Sequence, residues 1–406
     1  MNSNYDIVIV GGGMVGAALA CALGDSPLSV ALIEREIPKS YQPDDALDLR
    51  VSALSLASQR LLEHVGAWPH IANMRLCPYR RMRVWEDQGA TEFNSQDIAE
   101  PILGHIVENR LTQLGLWAKL PDFANIEVIA PTEIGQLEYR AEGSRVTLTD
   151  GQTLTTRLLV GADGGTSKVR TAAGIGVTAW DYDQHALVIN VETELPQQDM
   201  TWQKFLPTGP LAFLPLPGAH GSLVWYQSPE TVKHLKSLAD EDLRQAVLQA
   251  FPACLGGLGK VLARGSFPLC RQHAQHYVRP GLALVGDAAH RINPLAGQGV
   301  NIGFLDAAAL AEVLLAARPS QLASLSTLSR YERMRRFDNL KMMTAMDVFY
   351  HAFSNDLPPL KLLRNLGLGL ADKLTPVKHK VMAEAMGLSG QIPKLARSVA
   401  YTRPAP

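Results

Sequence analysis

Short apolar runs, each followed by a glycine-rich loop, recur along this chain. Residues 5–10 (YDIVIV) predict a buried strand, because the run is short and rich in β-branched side chains. The loop 11–16 (GGGMVG) follows, and the apolar segment 17–23 after it predicts a helix. A second predicted strand covers residues 29–33 and ends at Glu34. This order of strand, loop, helix, strand and acidic residue is typical of a dinucleotide-binding unit.

The glycines of the first loop each have a physical reason. Gly11 permits the tight turn, Gly13 lets the backbone approach a pyrophosphate, and Gly16 lets the helix pack close to the strand. Glu34 is placed to accept hydrogen bonds from a ribose diol. The unit therefore predicts an ADP-containing dinucleotide, without separating NAD from FAD. A glycine cluster that serves only helix packing is the structural alternative.

Two later strands also end in polar, glycine-rich loops. The apolar run 158–160 leads into Gly161-Ala162-Asp163-Gly164, and the run 282–285 leads into Gly286-Asp287. After the second loop come Pro294, a Gly-Gln-Gly at 297–299, and the Ala/Leu-rich segment 304–317, which predicts a helix. A strand end and a helix start of this kind bring backbone N–H groups against a flat, electron-accepting ligand.

The segment from about residue 180 to 280 has a different pattern. Frequent turn residues and alternating aromatic positions predict an antiparallel sheet inserted into the dinucleotide-binding part. Its aromatic face is expected either to cover a ligand or to form a core. Residues 209–217 contain three prolines and are expected at a sheet edge, and the basic strand 78–85 is also read as a solvated edge strand.

The C-terminal part combines basic and apolar positions. Residues 330–341 carry five arginine or lysine side chains, and the segment 342–353 has an apolar stripe of methionine and aromatic residues. Such helices can lie on an anionic membrane or dock on a partner, whereas the alternative is an ordinary helical core.

Composition narrows these possibilities. The chain has 406 residues, of which 47% are hydrophobic, enough for about two to three domains. Its net charge of −1 argues against nucleic-acid binding. Four scattered cysteines without a C-x-x-C pair suit a reducing compartment. Residues 7–23 lack the basic start of a signal peptide and are short for a membrane span, so a cytoplasmic protein is expected.

No metal set and no catalytic nucleophile stand out in the sequence. There is no His-x-x-x-His, no cysteine cluster and no serine-centred elbow. His290 is the one histidine inside a motif, and neither it nor Arg291 receives a role from the sequence.

The three loops together resemble a known family. Gly11-x-Gly13-x-x-Gly16 with Glu34, the loop at 161–164 with Ser167 and Arg170, and Gly286-Asp287 are similar in order and spacing to single-component FAD monooxygenases of the para-hydroxybenzoate-hydroxylase fold. Residues 293–303 (NPLAGQGVNIG) with Asp306 resemble the signature of the ubiquinone-biosynthesis hydroxylases. Further stretches resemble the branch that hydroxylates 2-octaprenyl-3-methyl-6-methoxy-1,4-benzoquinol: 77–81, 107–109, 209–216, 347–355 and 364–368.

The resemblance covers nearly the whole chain, thinning after Leu388, and implies an α/β fold with three regions. A discontinuous, Rossmann-like FAD-binding domain would comprise residues 1–75, 100–179 and 281–345. An inserted antiparallel β-sheet substrate domain would comprise 76–99 and 180–280. Residues 346–406 would form a C-terminal helical region.

The resemblance also implies the residues that hold non-covalent FAD. Gly11, Gly13 and Gly16 would meet the pyrophosphate, and Glu34 the adenosine ribose. Arg50 and Gln113 would lie along the FAD, Asp163 at the flavin–nucleotide boundary, and Asp287 at the ribityl chain. The flavin end would be completed by Pro294, Gly297, and the backbone groups of Gly299, Val300 and Asn301.

The implied reaction is ring hydroxylation of a polyprenylated benzoquinol in ubiquinone biosynthesis. It would use O2 as co-substrate, NAD(P)H or another electron donor, and a C4a-hydroperoxyflavin, with no protein side chain as catalyst and no metal. A same-fold FAD reductase or dehydrogenase acting on a quinone or isoprenoid is an alternative, as is a non-enzymatic assembly subunit. Other ubiquinone-biosynthesis proteins and the inner membrane surface are candidate partners.

Overall fold

A mainly parallel sheet lies at the centre of the computed structural model, which describes residues 2–292, 297, 299–353, 361, 364–365 and 375–398. With elements numbered in chain order, its strands are, in spatial order, β17 (Val278–Arg279), β18 (Leu282–Leu284), β11 (Thr153–Gly161), β1 (Asn2–Val10), β2 (Val30–Ile33) and β8 (Ile126–Ile129). The strands β10 (Ser144–Leu148) and β9 (Ile134–Glu138) extend β11 by antiparallel pairing. The apolar run 7–10 is buried, as expected for a parallel strand covered on both faces.

A second sheet of eight strands stands over the first. Its spatial order is β19 (His290–Arg291), β16 (Leu258–Ala274), β12 (Val177–Thr193), β15 (His220–Gln227), β14 (Leu211–Leu216), β13 (Met200–Lys204), β5 (Arg81–Trp85) and β6 (Ala90–Asn94). All of its pairs are antiparallel except β13 with β5. A third, small sheet contains β3 (Val51–Ser55), β7 (Gly104–Glu108) and β4 (Cys77–Tyr79).

Helices cover both large sheets. They are α1 (Met14–Ala22), α2 (Leu56–His64), α3 (Trp68–Ala72), α4 (Asn109–Lys119), α5 (Lys168–Ala172), α6 (Pro229–Ser237), α7 (Asp240–Ala250), α8 (Gly299–Leu315), α9 (Leu325–Phe353) and α10 (Thr375–Ala385). The predicted α/β class with an antiparallel sheet is thereby confirmed. No helix within the described ranges has both the length and the apolar character needed to span a bilayer.

The two faces of the antiparallel sheet differ in their neighbours. Trp202, Phe213 and Trp225 are buried on the face covered by α6 and α7, where Trp202 and Phe213 stack with ring centroids 5.6 Å apart. The core interpretation is therefore the correct one for these aromatic residues. The opposite face bears smaller side chains and looks toward the loops of the parallel sheet.

Several local expectations were wrong. Residues 211–216 form an interior strand between β15 and β13 rather than a sheet edge. Pro215 is tolerated there because it lies beyond the stretch where β13 pairs with β14, so its missing N–H removes no hydrogen bond. The stretch 78–85 splits between two sheets, and β6 rather than β5 lies at the edge. The predicted sheet region also contains α6 and α7, and α8 begins at Gly299, five residues before the predicted start at Phe304.

Candidate functional site

A cleft of about 440 Å³ separates the loops of the parallel sheet from the small-residue face of the antiparallel sheet. Three loops that follow β1, β11 and β18 line one side, because the carboxyl ends of parallel strands meet at one edge. Their contributions are Gly13, Met14, Val15, Ala162, Gly164, Val285 and Asp287. The start of α8, with Gly297, Gly299 and Val300, completes this side.

The first loop is shaped by its glycines. Gly11 has φ +103°, and a β-carbon there would lie 2.4 Å from the Ala162 carbonyl oxygen. A β-carbon on Gly16 would lie 1.9 Å from the Gly11 carbonyl oxygen. Gly13, in contrast, has open space on its side-chain position and caps α1 without any side-chain hydrogen bond. The first N–H groups of α1 are therefore available to an anion in the cleft.

Glu34 and Gln113 both form hydrogen bonds with Gly12 and do not line the open cleft. The Gly12 N–H donates to Glu34 Oε2 over 2.6 Å. The Gln113 amide and the Trp117 indole both donate to the Gly12 carbonyl, at 2.8 and 2.7 Å. These bonds fix the loop between β2 and α4, and Glu34 oxygens keep further acceptor capacity for a hydroxyl.

The second loop is held by a carboxylate and a guanidinium. Asp163 Oδ2 accepts a hydrogen bond from the Val169 N–H over 3.1 Å at the start of α5. Asp163 Oδ1 is buried and has no partner within the described residues. Arg170 donates to the Ala288 and Gly165 carbonyls, both at 2.8 Å, and thereby ties the second loop to the third. Burial lowers the pKa of Arg170.

The third loop rests on a buried ionic group around Asp306, whose partners the sequence did not predict. Asp306 of α8 is fully buried, and its Oδ2 accepts hydrogen bonds from the Gly286 N–H and His290 Nε2 at 3.2 and 2.5 Å. Its Oδ1 accepts from Arg335 Nε and Asn339 Nδ2 of α9, at 3.0 and 2.9 Å. Arg335, one of the five basic side chains of residues 330–341, is buried because Asp306 neutralises it.

Charge neutralisation keeps Asp306 ionised. Burial alone would raise the pKa of this carboxyl, but the charges of His290 and Arg335, together with hydrogen bonds from His290 and Asn339, hold it below its usual range. Next to this group, Tyr277 Oη lies 3.1 Å from His273 Nε2, and burial lowers the pKa of His273 to about 4. His290 therefore has a structural role: it anchors the Asp287 loop to α8.

The start of α8 is fixed by the side chain of Asn301. Its Oδ1 accepts hydrogen bonds from the Ser55 N–H and the Ser58 hydroxyl at 3.0 and 2.7 Å, and its Nδ2 donates to the Ala53 carbonyl over 2.8 Å. Asn301 thus joins α8 to β3 and α2. Its side chain is consumed by these contacts, which leaves Gly299 and Val300 to face the cleft.

The opposite side of the cleft is a largely apolar wall on alternating strand positions. Its smaller apolar members are Ala186, Val188, Ala212, Leu214 and Val224, and the larger Phe267 and Leu269 of β16 also line it. Among them stand Gln203, Ser222 and Tyr226, which are buried. Cys270 also lines the cleft, and burial raises the pKa of its thiol, so the thiol stays protonated near neutral pH.

Comparison with known proteins gives this arrangement a family. Residues 4–345 match a family model described as an FAD binding domain. A 3-demethoxyubiquinol 3-hydroxylase from Escherichia coli is 43% identical over 390 residues, which cover 95% of this chain and 100% of the relative. A ubiquinone hydroxylase from Rhodospirillum rubrum is 40% identical and covers 97% and 93% of the two chains. The chain belongs to the FAD-dependent ubiquinone-biosynthesis hydroxylases.

A solved structure supports the same fold. The p-nitrophenol 4-monooxygenase of Pseudomonas putida superposes with a TM-score of 0.78 over 96% of this chain and 100% of that one, at 19% identity. The predicted para-hydroxybenzoate-hydroxylase type of fold and the predicted family are thus both confirmed. As a member of this hydroxylase family, the protein is an FAD-dependent monooxygenase that uses O2, and NAD(P)H is the usual electron donor in the family.

The residues present fit the cofactor of a ubiquinone-biosynthesis hydroxylase. The uncapped start of α1 suits a pyrophosphate, and Gly13 leaves room for its approach. The unpartnered oxygen of Asp163 and the exposed carboxylate of Asp287 offer acceptors where hydroxyl groups are expected. The first turn of α8 carries no acidic residue that would oppose a negative ligand.

The predicted site residues occupy three kinds of position. Six line the cleft, namely Gly13, Arg50, Asp287, Gly297, Gly299 and Val300. Others shape the loops from behind it, namely Gly11, Gly16, Glu34, Gln113, Asp163 and Asn301. Pro294 lies outside the described residues.

Proposed function

We propose that this monooxygenase hydroxylates the ring of a polyprenylated benzoquinol. The observation that supports this proposal most directly is the cleft, in which FAD-binding loops face a largely apolar wall across a single space. Such a wall suits a substituted aromatic ring that has to be kept from water. The name of the Escherichia coli relative, 3-demethoxyubiquinol 3-hydroxylase, supports a demethoxylated ubiquinol precursor as substrate.

The residue roles in this proposal follow from position. The first N–H groups of α1, beside Gly13, bind the pyrophosphate, and Asp287 binds the ribityl hydroxyls. Glu34 is assigned to the adenosine ribose, and Arg50 and Gln113 to the length of the cofactor. The cofactor, when bound, supplies the oxygen activation. The helix start at Gly299 and Val300 presents its positive end to the flavin edge and so favours negative charge there.

Each part of the chain has its own task in this proposal. FAD is bound by residues 1–75, 100–179 and 281–345, and the substrate is bound by residues 76–99 and 180–280. The C-terminal helices hold the enzyme at the membrane. Within the described part of the cleft lining, the one thiol is the protonated Cys270, so no side chain is assigned as a nucleophile.

Isotope labelling tests the reaction. The purified enzyme is supplied with NADH, ¹⁸O2 and a short-chain 6-methoxy-3-methyl-benzoquinol, and the product is analysed by mass spectrometry. Incorporation of one labelled oxygen into the ring supports hydroxylation. An unlabelled, reduced or dehydrogenated product would instead establish the reductase or dehydrogenase alternative.

A cellular experiment tests the assembly alternative. Asp287 lines the cleft and is exposed, so Asp287→Ala removes a cofactor contact without disturbing a buried group. We expect the variant to accumulate in cells but to leave the demethoxylated precursor unconverted. Normal ubiquinone levels with a flavin-free Asp287→Ala protein would favour a purely structural role.

We further propose that the outer face of α9 rests on an anionic membrane. Phe337 and Val348 are 72% and 61% exposed on this face, and Arg330, Arg333 and Lys341 are exposed on the same helix. Its inner face carries Tyr350, which packs with Tyr226 of the cleft wall. A substrate with a polyprenyl chain resides in the bilayer, so this arrangement suits its delivery to the cleft.

Vesicle flotation tests the docking face. We expect the enzyme to float with vesicles that contain phosphatidylglycerol and less with neutral phosphatidylcholine vesicles. The double variant Phe337→Ser/Val348→Ser should lose most of the binding, whereas Leu262→Ser, which removes another exposed apolar side chain far along the chain on β16, should retain it. Equal flotation of both variants would contradict membrane docking through α9.

A further inference from the structure

Two buried polar side chains stand next to each other on the sheet face that forms the wall of the cleft. Ser222 of β15 and Asn190 of β12 are opposite one another in the antiparallel register, and both are 0% exposed. Register-opposite side chains on one face of a sheet stand about 5 Å apart. Ser222 lines the cleft, and Leu214, which pairs with it on the other side, is apolar.

The hydrogen-bonding capacity of this pair is incompletely used. Both protons of the Asn190 amide are taken up, because Nδ2 donates to the Leu47 and Asp48 carbonyls at 3.2 and 3.1 Å. Those two bonds fix the amide orientation and leave Oδ1 as an acceptor. Neither Asn190 Oδ1 nor the Ser222 hydroxyl has a partner within the described residues.

This inventory favours a ligand that donates a hydrogen bond. Together, the Asn190 carbonyl oxygen and the Ser222 hydroxyl offer two acceptors but only one donor. A hydroxyl group on the ligand can donate a hydrogen bond to the remaining acceptor, whereas a carbonyl group, which only accepts, leaves that acceptor without a partner. Buried polar groups without a partner are rare in folded proteins, which makes a ligand the natural partner here.

We propose that Ser222, together with the neighbouring acceptor of Asn190, binds a ring hydroxyl of the aromatic substrate. This pair would thereby select the reduced quinol over the oxidised quinone. The inference rests on the proposed function and adds to it the side chains that distinguish the quinol from the quinone. The selection has a chemical use, because the hydroxyl form of the ring is the electron-rich form that an electrophilic oxygen attacks. Ser222 is a binding and positioning residue, with no proton transfer assigned to it.

An anaerobic binding experiment tests the proposal without turnover. The FAD-loaded enzyme is titrated with the quinol and the quinone of the same short-chain, methoxylated benzoquinone, and binding is followed by the flavin absorbance. We expect the wild type to prefer the quinol. Ser222→Ala should weaken quinol binding about tenfold, equivalent to about 1.4 kcal/mol, while quinone binding changes little.

Two further variants test whether the effect comes from the hydroxyl group of Ser222. Ser222→Cys keeps the side-chain size with a weaker hydrogen-bonding group and should fall between wild type and Ser222→Ala. Ser266→Ala removes a hydroxyl from β16 that bonds Lys236 of α6 on the other face, so it should bind like the wild type. Urea unfolding of each variant verifies that the fold is retained.

The outcomes separate this inference from the proposed function. If Ser222→Ala retains the full preference for quinol, or loses quinol and quinone binding equally, the subsite assignment is wrong while the quinol hydroxylase remains. If the wild type binds neither form of the ring, the proposed substrate class itself fails, whatever the variants do.

Discussion

Asp306 accepts a hydrogen bond from His290 Nε2 over 2.5 Å, although the two residues belong to different elements and are both buried. Because Asp306 is held ionised, the imidazole must be the donor. The same carboxylate binds Arg335 of α9 and the backbone of Gly286. One buried anion therefore positions the loop that presents Asp287 to the cleft.

Asp306→Asn should destabilise the protein strongly. The substitution keeps the shape but removes the negative charge closest to Arg335, which then retains only Asp338 at 3.8 Å, and breaking a buried pair in this way costs about 3–5 kcal/mol. Urea unfolding measures the loss. As a control, Glu384→Gln removes the half-buried partner of the exposed Lys341 and should cost less than about 1 kcal/mol. Similar losses in the two variants would show that Asp306 is not the anchor described above.

Gly13 and Gly16 should respond differently to alanine. A methyl group on Gly16 would collide with the Gly11 carbonyl, so Gly16→Ala is expected to destabilise the fold by at least about 2 kcal/mol. Gly13→Ala meets no atom within 4 Å and has an ordinary extended backbone, so it should unfold like the wild type as apoprotein. Its methyl group enters the space assigned to the pyrophosphate.

FAD titration completes this test. We expect Gly13→Ala to bind FAD at least about tenfold more weakly than the wild type, a difference of about 1.4 kcal/mol. Unchanged FAD affinity in Gly13→Ala would place the pyrophosphate elsewhere.

Asn301→Leu should loosen the start of α8. The substitution leaves the Ser55 N–H and the Ala53 carbonyl without their partner, at a cost of at least about 2 kcal/mol in the free energy of unfolding. Asn73→Leu, at an exposed position after α3, serves as the matched control and should change stability by less than about 0.5 kcal/mol. Equal stability of the two variants would contradict the role given to Asn301.

Acidification should destabilise the protein through His273. Burial lowers the pKa of His273 from 6.5 to about 4, so the unfolded chain binds its proton first as the pH falls. The stabilisation is complete above pH 6.5 and is lost progressively as the pH falls toward 4. His273→Gln should flatten this part of the curve of Tm against pH, and an unchanged slope in this variant would contradict the role given to His273.

The sequence was informative where the signals are local. The strand before Gly11, the turn chemistry of the first loop and the acidic residue at 34 lie within one short stretch, so the pattern predicts the unit directly. The pair of Asp306 and Arg335 was not predictable, because residues 29 positions apart on two helices meet only through tertiary packing. Arg335 consequently resembled its exposed neighbours.

Other misses had a local signal that context concealed. Ser228 caps α6 and Pro229 occupies its first turn, which is a recognisable helix start inside a region otherwise read as strands. Ser222 had no such signal. Both faces of its sheet are buried, so alternation along the strand did not tell which face meets the cleft.

Strand β16 connects the two sides of the reaction chamber. It pairs with β19, the strand of His290 and Arg291, and also with β12, the strand of Asn190. We expect a displacement of the loop that carries Asp287 to reach the substrate wall through this hydrogen-bonded ladder. Thermodynamic reciprocity then requires that any factor by which the quinol tightens FAD binding equals the factor by which FAD tightens quinol binding.

We expect this factor to exceed about 5, measured by titrating FAD into apoprotein with and without the quinol. A factor of one would show that the ladder transmits nothing. A copy of the protein that has lost its flavin would accordingly bind the quinol more weakly, so inactive copies would compete less for the substrate with copies that can convert it.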